Sequence, residues 1–151
     1  MNRILLLLLA CVTPTGFSVA FADAKSGSIT VSGWVTKIDL SAGAFAIRNR
    51  KEPVQFTIDP YRTDVQVDGS VPQHSLSSVR VGAAALVKLS LSGGHLIVQS
   101  VKFTHRPATA IPVKSRPGFV FSPYSHVLFD VERCARGDML EDAVGKIFLV
   151  P

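Results

Sequence analysis

The sequence predicts an all-β chain: a small five-stranded barrel followed by a proline-rich, largely irregular C-terminal extension. Two observations carry this expectation. Between Ser28 and Phe103, apolar and β-branched residues alternate with polar ones in runs bounded by Gly, Asp and Pro, the period-two pattern of half-buried strands. From Thr104 onward, proline recurs in Arg106-Pro107, Ile111-Pro112, Arg116-Pro117 and Ser122-Pro123. Proline has no N–H to offer a ladder and holds the chain extended, so this stretch reads as a linker or a strap along the barrel.

The first residues, MNRILLLLLACVTPTGFSVAFA, have the layout of an export signal: Arg3, an apolar run from Ile4 to Val12, then Ala20-Phe21-Ala22. That pattern predicts cleavage after Ala22 and a mature chain from Asp23, exported to the periplasm or beyond the cell. The apolar run is broken by Pro14 and Gly16 before it reaches the roughly 20 residues of a spanning helix, so the mature chain is expected to be soluble. A second reading stays open, because Leu8-Leu9-Ala10-Cys11 resembles a lipobox and would leave a lipoprotein anchored through Cys11. The organisation expected is a signal over residues 1–22, a barrel over 28–103 and an extension over 104–151.

The full chain carries a net charge of +5. Losing residues 1–22 removes Arg3 and leaves 15 basic against 11 acidic residues, a net charge of +4. This favours anionic surfaces without naming one. Cys134 is then the single cysteine, which excludes an intramolecular disulfide and leaves a free thiol or an intermolecular pair.

In chain order, the first strand is expected from Ser28 to Leu40, with Ile29, Val31 and Val35 on one face and Trp34, Thr36 and Ile38 on the other. Gly33 in mid-strand predicts a bulge or sharp bend. Ser41-Ala42-Gly43 makes a turn into a second strand, Ala44 to Asn49, with Phe45 and Ile47 on one side. The segment from Arg48 to Pro53 is a charged hairpin tip. A third strand, Val54 to Ile58, points Val54, Phe56 and Ile58 inward. Asp59-Pro60 breaks the sheet, Val65 to Val67 is a short strand, and Ser75 to Val79 is expected to form one helical turn. Ala83 to Leu91 and His95 to Phe103 then form a hairpin around Ser92-Gly93-Gly94. A three-stranded meander, a connecting segment and a final hairpin follow the order of an OB-fold. In the extension, Val127 to Val131 and Lys146 to Val150 are short apolar runs suited to docking on the barrel, on a copy or on a partner.

Gly33, Ile38-Asp39, Phe45-Ala46-Ile47, Val81-Gly82 and Gly93-Gly94 together resemble a class of small exported bacterial OB-like domains. The periplasmic copper-binding chaperones with an OB-type barrel share that skeleton. Those chaperones bring a histidine and two methionines beside a tryptophan. The matching region here, IRNRKEPVQFTI, has neither His nor Met, and soft-metal binding in that mode needs soft ligands. The resemblance therefore implies the fold and not the metal site. In the extension, Pro117-Gly118-Phe119-Val120, Ser122-Pro123-Tyr124, Asp130-Val131 and Gly145 to Pro151 resemble a C-terminal signature of small exported bacterial proteins. Cys134 and the stretch from Glu141 to Val144 depart from it. That resemblance implies shared docking or folding of the tail and no activity.

The candidate ligand surface is basic and aromatic: Arg48, Arg50, Lys51 and Arg62, with Trp34 beside them on the first strand. Phe45, Phe56 and Tyr61 lie near these cations in sequence, as a stacking platform for single-stranded nucleic acid would require, but Phe45 and Phe56 also fit the inward alternation. His74, His95, His105 and His126 are not spaced as ligand pairs, so neither a metal site nor a cofactor is assigned. Asp39, Asp59, Asp64 and Asp68 stand at strand ends and turns, where aspartate bonds locally. There is no nucleophile elbow or phosphate-cradling glycine loop, and Cys134 has no adjacent base. The reading is a non-catalytic binding or structural module of the cell envelope, with another envelope protein or an anionic polymer as partner. Copper handling through relocated ligands is the alternative, and nucleic-acid or polyanion binding through the basic hairpin is a further one.

Overall fold

The computed structural model describes residues 28–49 and 52–151. The segment read as an export signal, Cys11, Arg50 and Lys51 lie outside the described residues. Six strands form one sheet: β1 (Ser28–Asp39), β2 (Ala44–Arg48), β3 (Pro53–Thr57), β4 (Asp64–Val67), β5 (Ala84–Ser92) and β6 (His95–Thr104). Their order is β3-β2-β1-β5-β6-β4, antiparallel except for the parallel pair β4–β6. β3 and β4 are consecutive in the chain yet stand at opposite ends of this order, so the sheet must curl round to join them. The core confirms the curl, since one buried cluster takes Val35, Phe45, Phe56, Val65, Val87 and Phe103 from all six strands. Phe45 stacks on Phe56 at 5.6 Å and meets Phe103 edge-on at 5.3 Å, which spans the interior from β2 to β6. This is an OB-like barrel, and the short strand expected over Val65 to Val67 is present as β4 and joins the sheet beside the five barrel strands.

β1 serves both halves, pairing with β5 from Ser28 to Trp34 and with β2 from Trp34 to Asp39. The switch does not occur through a bulge at Gly33. The register slips between Val35 and Lys37. That extra residue reverses the alternation, so Ile38, expected on the face opposite Val35, packs against the same core as Val35. Gly33 has a different task. A Cβ there would stand 2.8 Å from the Arg48 carbonyl oxygen, so only glycine lets β1 approach the end of β2 this closely. The β1–β2 turn is set by Asp39, whose Oδ1 accepts from Ser41 Oγ at 2.6 Å and Ala42 N at 3.1 Å, and by Gly43 at a φ of 59°.

The helical turn expected over Ser75–Val79 is absent. Ser75 Oγ accepts from Ser77 N at 3.2 Å, and Val79 N reaches Leu76 O at 3.0 Å. Serine offering its own backbone such a bond competes with helix formation, and the resulting turn drives Leu76 and Val79 into the barrel.

The extension carries five short strands: β7 (Ile111–Pro112), β8 (Phe119–Phe121), β9 (Leu128–Asp130), β10 (Met139–Glu141) and β11 (Ile147–Leu149). β7, β8 and β9 form one small sheet and β10–β11 a hairpin. The two are tied by Ala110 N to Leu149 O and Leu149 N to Ala108 O. Phe148, Val120 and Ala110 are buried between them. The extension docks through a face rather than an edge: Met139 and Ile147 pack on Ala84 and Leu86 of β5, on the outside of the barrel. Thr104 Oγ1 accepts from Ile147 N at 2.9 Å, and Lys102 pairs with Glu141 across the same junction.

Candidate functional site

Trp34 and Arg48 are directly opposed residues of β1 and β2, and both are exposed, Trp34 by 39%. Opposed residues on one sheet face stand about 5 Å apart at Cβ, so the ring and the cation form one surface. A cleft of about 120 Å³ runs along Trp34 and Asn49 on the barrel and Arg136 to Met139 on the extension. Trp34 therefore marks the seam between barrel and tail, and the exposed Arg136 brings a second cation to that seam. Sequence reasoning had no means of placing Arg136 there, since nothing in the chain's pattern ties residue 136 to β1.

Arg62 is not part of this surface. Arg48 is opposite Pro53 and Ala44 opposite Thr57, so the turn after β3 that carries Arg62 leaves the far end of the hairpin. The length of β3, roughly 16 Å, separates it from Arg48. Phe45 and Phe56 are 1% and 8% exposed, which removes them as stacking platforms. Tyr61 is exposed on the turn beside Arg62.

Arg62 instead lines a second concavity, a groove of about 640 Å³ between β3 and the start of β6. Its walls are mostly apolar: Val54, Phe56 and Ile58 on one side, Leu89, Leu96 and Val98 on the other. Leu96 and Ile97 are 54% and 40% exposed. The consecutive apolar residues after the Gly93-Gly94 turn were the sequence signal for this exposure. Thr63, fully buried, closes one end: its Oγ1 donates to Val98 O at 2.8 Å and accepts from Asp59 N at 2.9 Å.

Several other titratable groups are built into local structure. His74 Nδ1 donates to Thr63 O at 2.8 Å, and His105 Nδ1 lies 2.6 Å from Asp68 Oδ2. Among the described residues, no group of three His, Cys, Asp or Glu side chains is gathered as a metal would need. Burial pushes the Cys134 thiol up, and Asp138 and Asp130 push the same way, which makes its thiolate scarce. Asp142 sits in the extension at 2% exposure, accepting from Ser122 Oγ, from Ser125 N at 3.2 Å and from Ser125 Oγ at 2.8 Å. Burial alone pushes its carboxyl up, but these hydrogen bonds outweigh burial and hold it below the ordinary range. Among the described residues, no helix is long and apolar enough to cross a membrane.

No protein-family model matches the chain, and no curated protein matches it. Among solved structures it is similar to apo-CusF from Escherichia coli, residues 6–88, at 18% identity and a TM-score of 0.37, over 56% of this chain and 95% of that one. It is also similar to a tryptophan-to-alanine CusF variant with Cu(II), at 20% identity and a TM-score of 0.38, over 54% of this chain and 98% of that one. The likeness is one of skeleton.

Proposed function

We propose that the chain is a non-catalytic binding module of the cell envelope, exported by its N-terminal segment, and that it holds an anionic ligand where the barrel meets its tail. The observation that carries this reading is the exposed Trp34–Arg48 pair with Arg136 across the cleft. A planar ring beside two guanidinium groups suits a ligand that offers sulfate, phosphate or carboxylate together with a flat or apolar face. The full-length protein has one tryptophan, so its fluorescence reports on this surface alone. Titration with heparin as a model polyanion is expected to give a saturable change that weakens as salt rises and falls by roughly tenfold in affinity in Arg48→Gln or Arg136→Gln. A flat response to heparin would overturn the reading. Saturable quenching by Cu(I) that persists in both arginine variants would replace it with metal handling.

A further inference from the structure

The open seam of the barrel has what is needed to take up a strand. β3 pairs on one side only, with β2, and among the described residues no backbone bond joins it to β6. β6 is paired by β4 from Ser100 onward, which leaves the outer edge of His95 to Val98 without a strand. Among the described residues, two strand edges without a partner strand therefore face one apolar groove, and the β6 edge ends at Val98, whose carbonyl accepts from Thr63 Oγ1. Natural edges are usually blunted by charge, proline or a bulge. Here Pro53 stands at the first position of β3 and β6 slips against β5 between Val98 and Ser100, but neither Val54–Thr57 nor Leu96–Val98 holds a charged residue. At the closed end, Arg62 has no ion-pair partner among the described residues, while Asp59 is turned onto Tyr61 N, which it accepts at 2.8 Å.

We propose that this groove docks an extended apolar polypeptide strand from a partner protein, with a carboxylate of that strand at Arg62. The free edges decide for polypeptide over an acyl chain, because only a strand supplies N–H and C=O groups to both sides while alternate side chains fill the groove. The Arg62 guanidinium, without an ion-pair partner among the described residues, supplies the charge complement at the closed end and sets the direction in which the strand lies. The chain's own apolar C-terminal run is already committed, since Phe148 is fully buried in the extension and Val150 is 6% exposed. This site does not rest on the Trp34 surface and stands or falls separately from it.

The test is fluorescence anisotropy of the full-length protein with a fluorescein-labelled peptide of alternating valine and threonine ending in a free carboxylate. Saturable binding is expected. N-methylation of alternate peptide nitrogens, which leaves the side chains intact, is expected to weaken it at least about tenfold. Leu96→Asp, at an exposed position, is expected to do the same, and Arg62→Gln to weaken the carboxylate form while leaving the amidated peptide unchanged. Equal binding of the N-methylated peptide, displacement of both peptides by dodecanoate, or no binding at millimolar peptide would overturn the proposal. So would a dimer on sizing that Leu96→Asp abolishes, since the edges would then belong to a second copy.

Discussion

Replacing Ile147 by alanine asks whether the extension and the barrel are one cooperative body. Ile147 is fully buried, and its neighbours are Met139 and Leu149 of the extension and Ala84 and Leu86 of the barrel. Its N–H is held by Thr104 Oγ1 at 2.9 Å, and alanine keeps that bond, so the substitution removes packing alone. Three carbons are lost from a site walled by strands that cannot easily close in. At about 1 kcal/mol for each carbon, cavity included, the cost is about 3 kcal/mol. In a chain of this size that lowers the Tm by roughly 10 °C. The assay is thermal unfolding followed in parallel by far-UV circular dichroism, which sees every strand, and by Trp34 fluorescence, which sees the junction. One transition, shifted equally in both signals, is expected. Two transitions, with the larger unmoved, or a loss below about 1 kcal/mol would refute the view that the tail is part of the barrel's stability.

Acidification has a defined sign. The carboxyls of Asp142 and Asp68 are both held low, against the push of burial, by hydrogen bonds from Ser122 and Ser125 and from His105 respectively. The unfolded chain binds protons more readily at these positions, so their stabilisation is whole above the ordinary carboxylate value near ~3.9 and is lost as pH falls through the lower folded values. Urea midpoints should therefore drop between about pH 5 and pH 2, and Asp142→Asn should flatten that slope; an unchanged slope in the variant counts against it. Asp142→Ala leaves the fully buried Ser122 hydroxyl and the Ser125 hydroxyl without their carboxylate acceptor, and is expected to cost about 3 kcal/mol by urea unfolding at neutral pH. Gly33→Ala places a methyl 2.8 Å from the Arg48 carbonyl oxygen, backbone that cannot swing aside, so the β1–β2 contact must open. The expected loss is about 1–3 kcal/mol in denaturant unfolding, and a wild-type midpoint would show that the strands have slack.

The barrel was legible because its strands obey one rule each. Phe45 and Ile47, then Val54, Phe56 and Ile58, alternate inward, and the structure places them so. The rule fails where an event is not written in the alternation. The slip between Val35 and Lys37 returns Ile38 to the core, and no residue type there announces a bulge, whereas Gly33, which does attract that reading, is needed for clearance. Leu86 is the more instructive case. It stands on the outward phase of β5 yet is only 9% exposed, because Met139 and Ile147 return to cover it. An apolar residue on an outward phase says that something covers it, and nothing in the sequence says what. The same limit governs the candidate surface. Trp34 and Arg48 lie on neighbouring strands but face each other only because of the slip between Val35 and Lys37, since counting back from the turn would set Arg48 opposite Val35. Arg136 arrives by tertiary docking and Arg62 is carried away by the length of β3.

The covering of Leu86 also bears on how the molecule comes into being. A chain is made from its N-terminus, and at roughly 5–20 residues per second the β5–β6 hairpin waits several seconds for Met139 and Ile147 to emerge. During that interval the barrel strands can pair, but the outer face of β5 remains wet and adhesive. Such contacts between distant parts of a sequence also slow folding, because a long loop must close before they repay its entropy. Completion is thus deferred until the tail is present, and a product cut short before residue 139 would carry a sticky flank recognisable to chaperones and proteases. The hairpin β10–β11 acts in this sense as a seal of completeness on a barrel whose core residues all precede it in the chain.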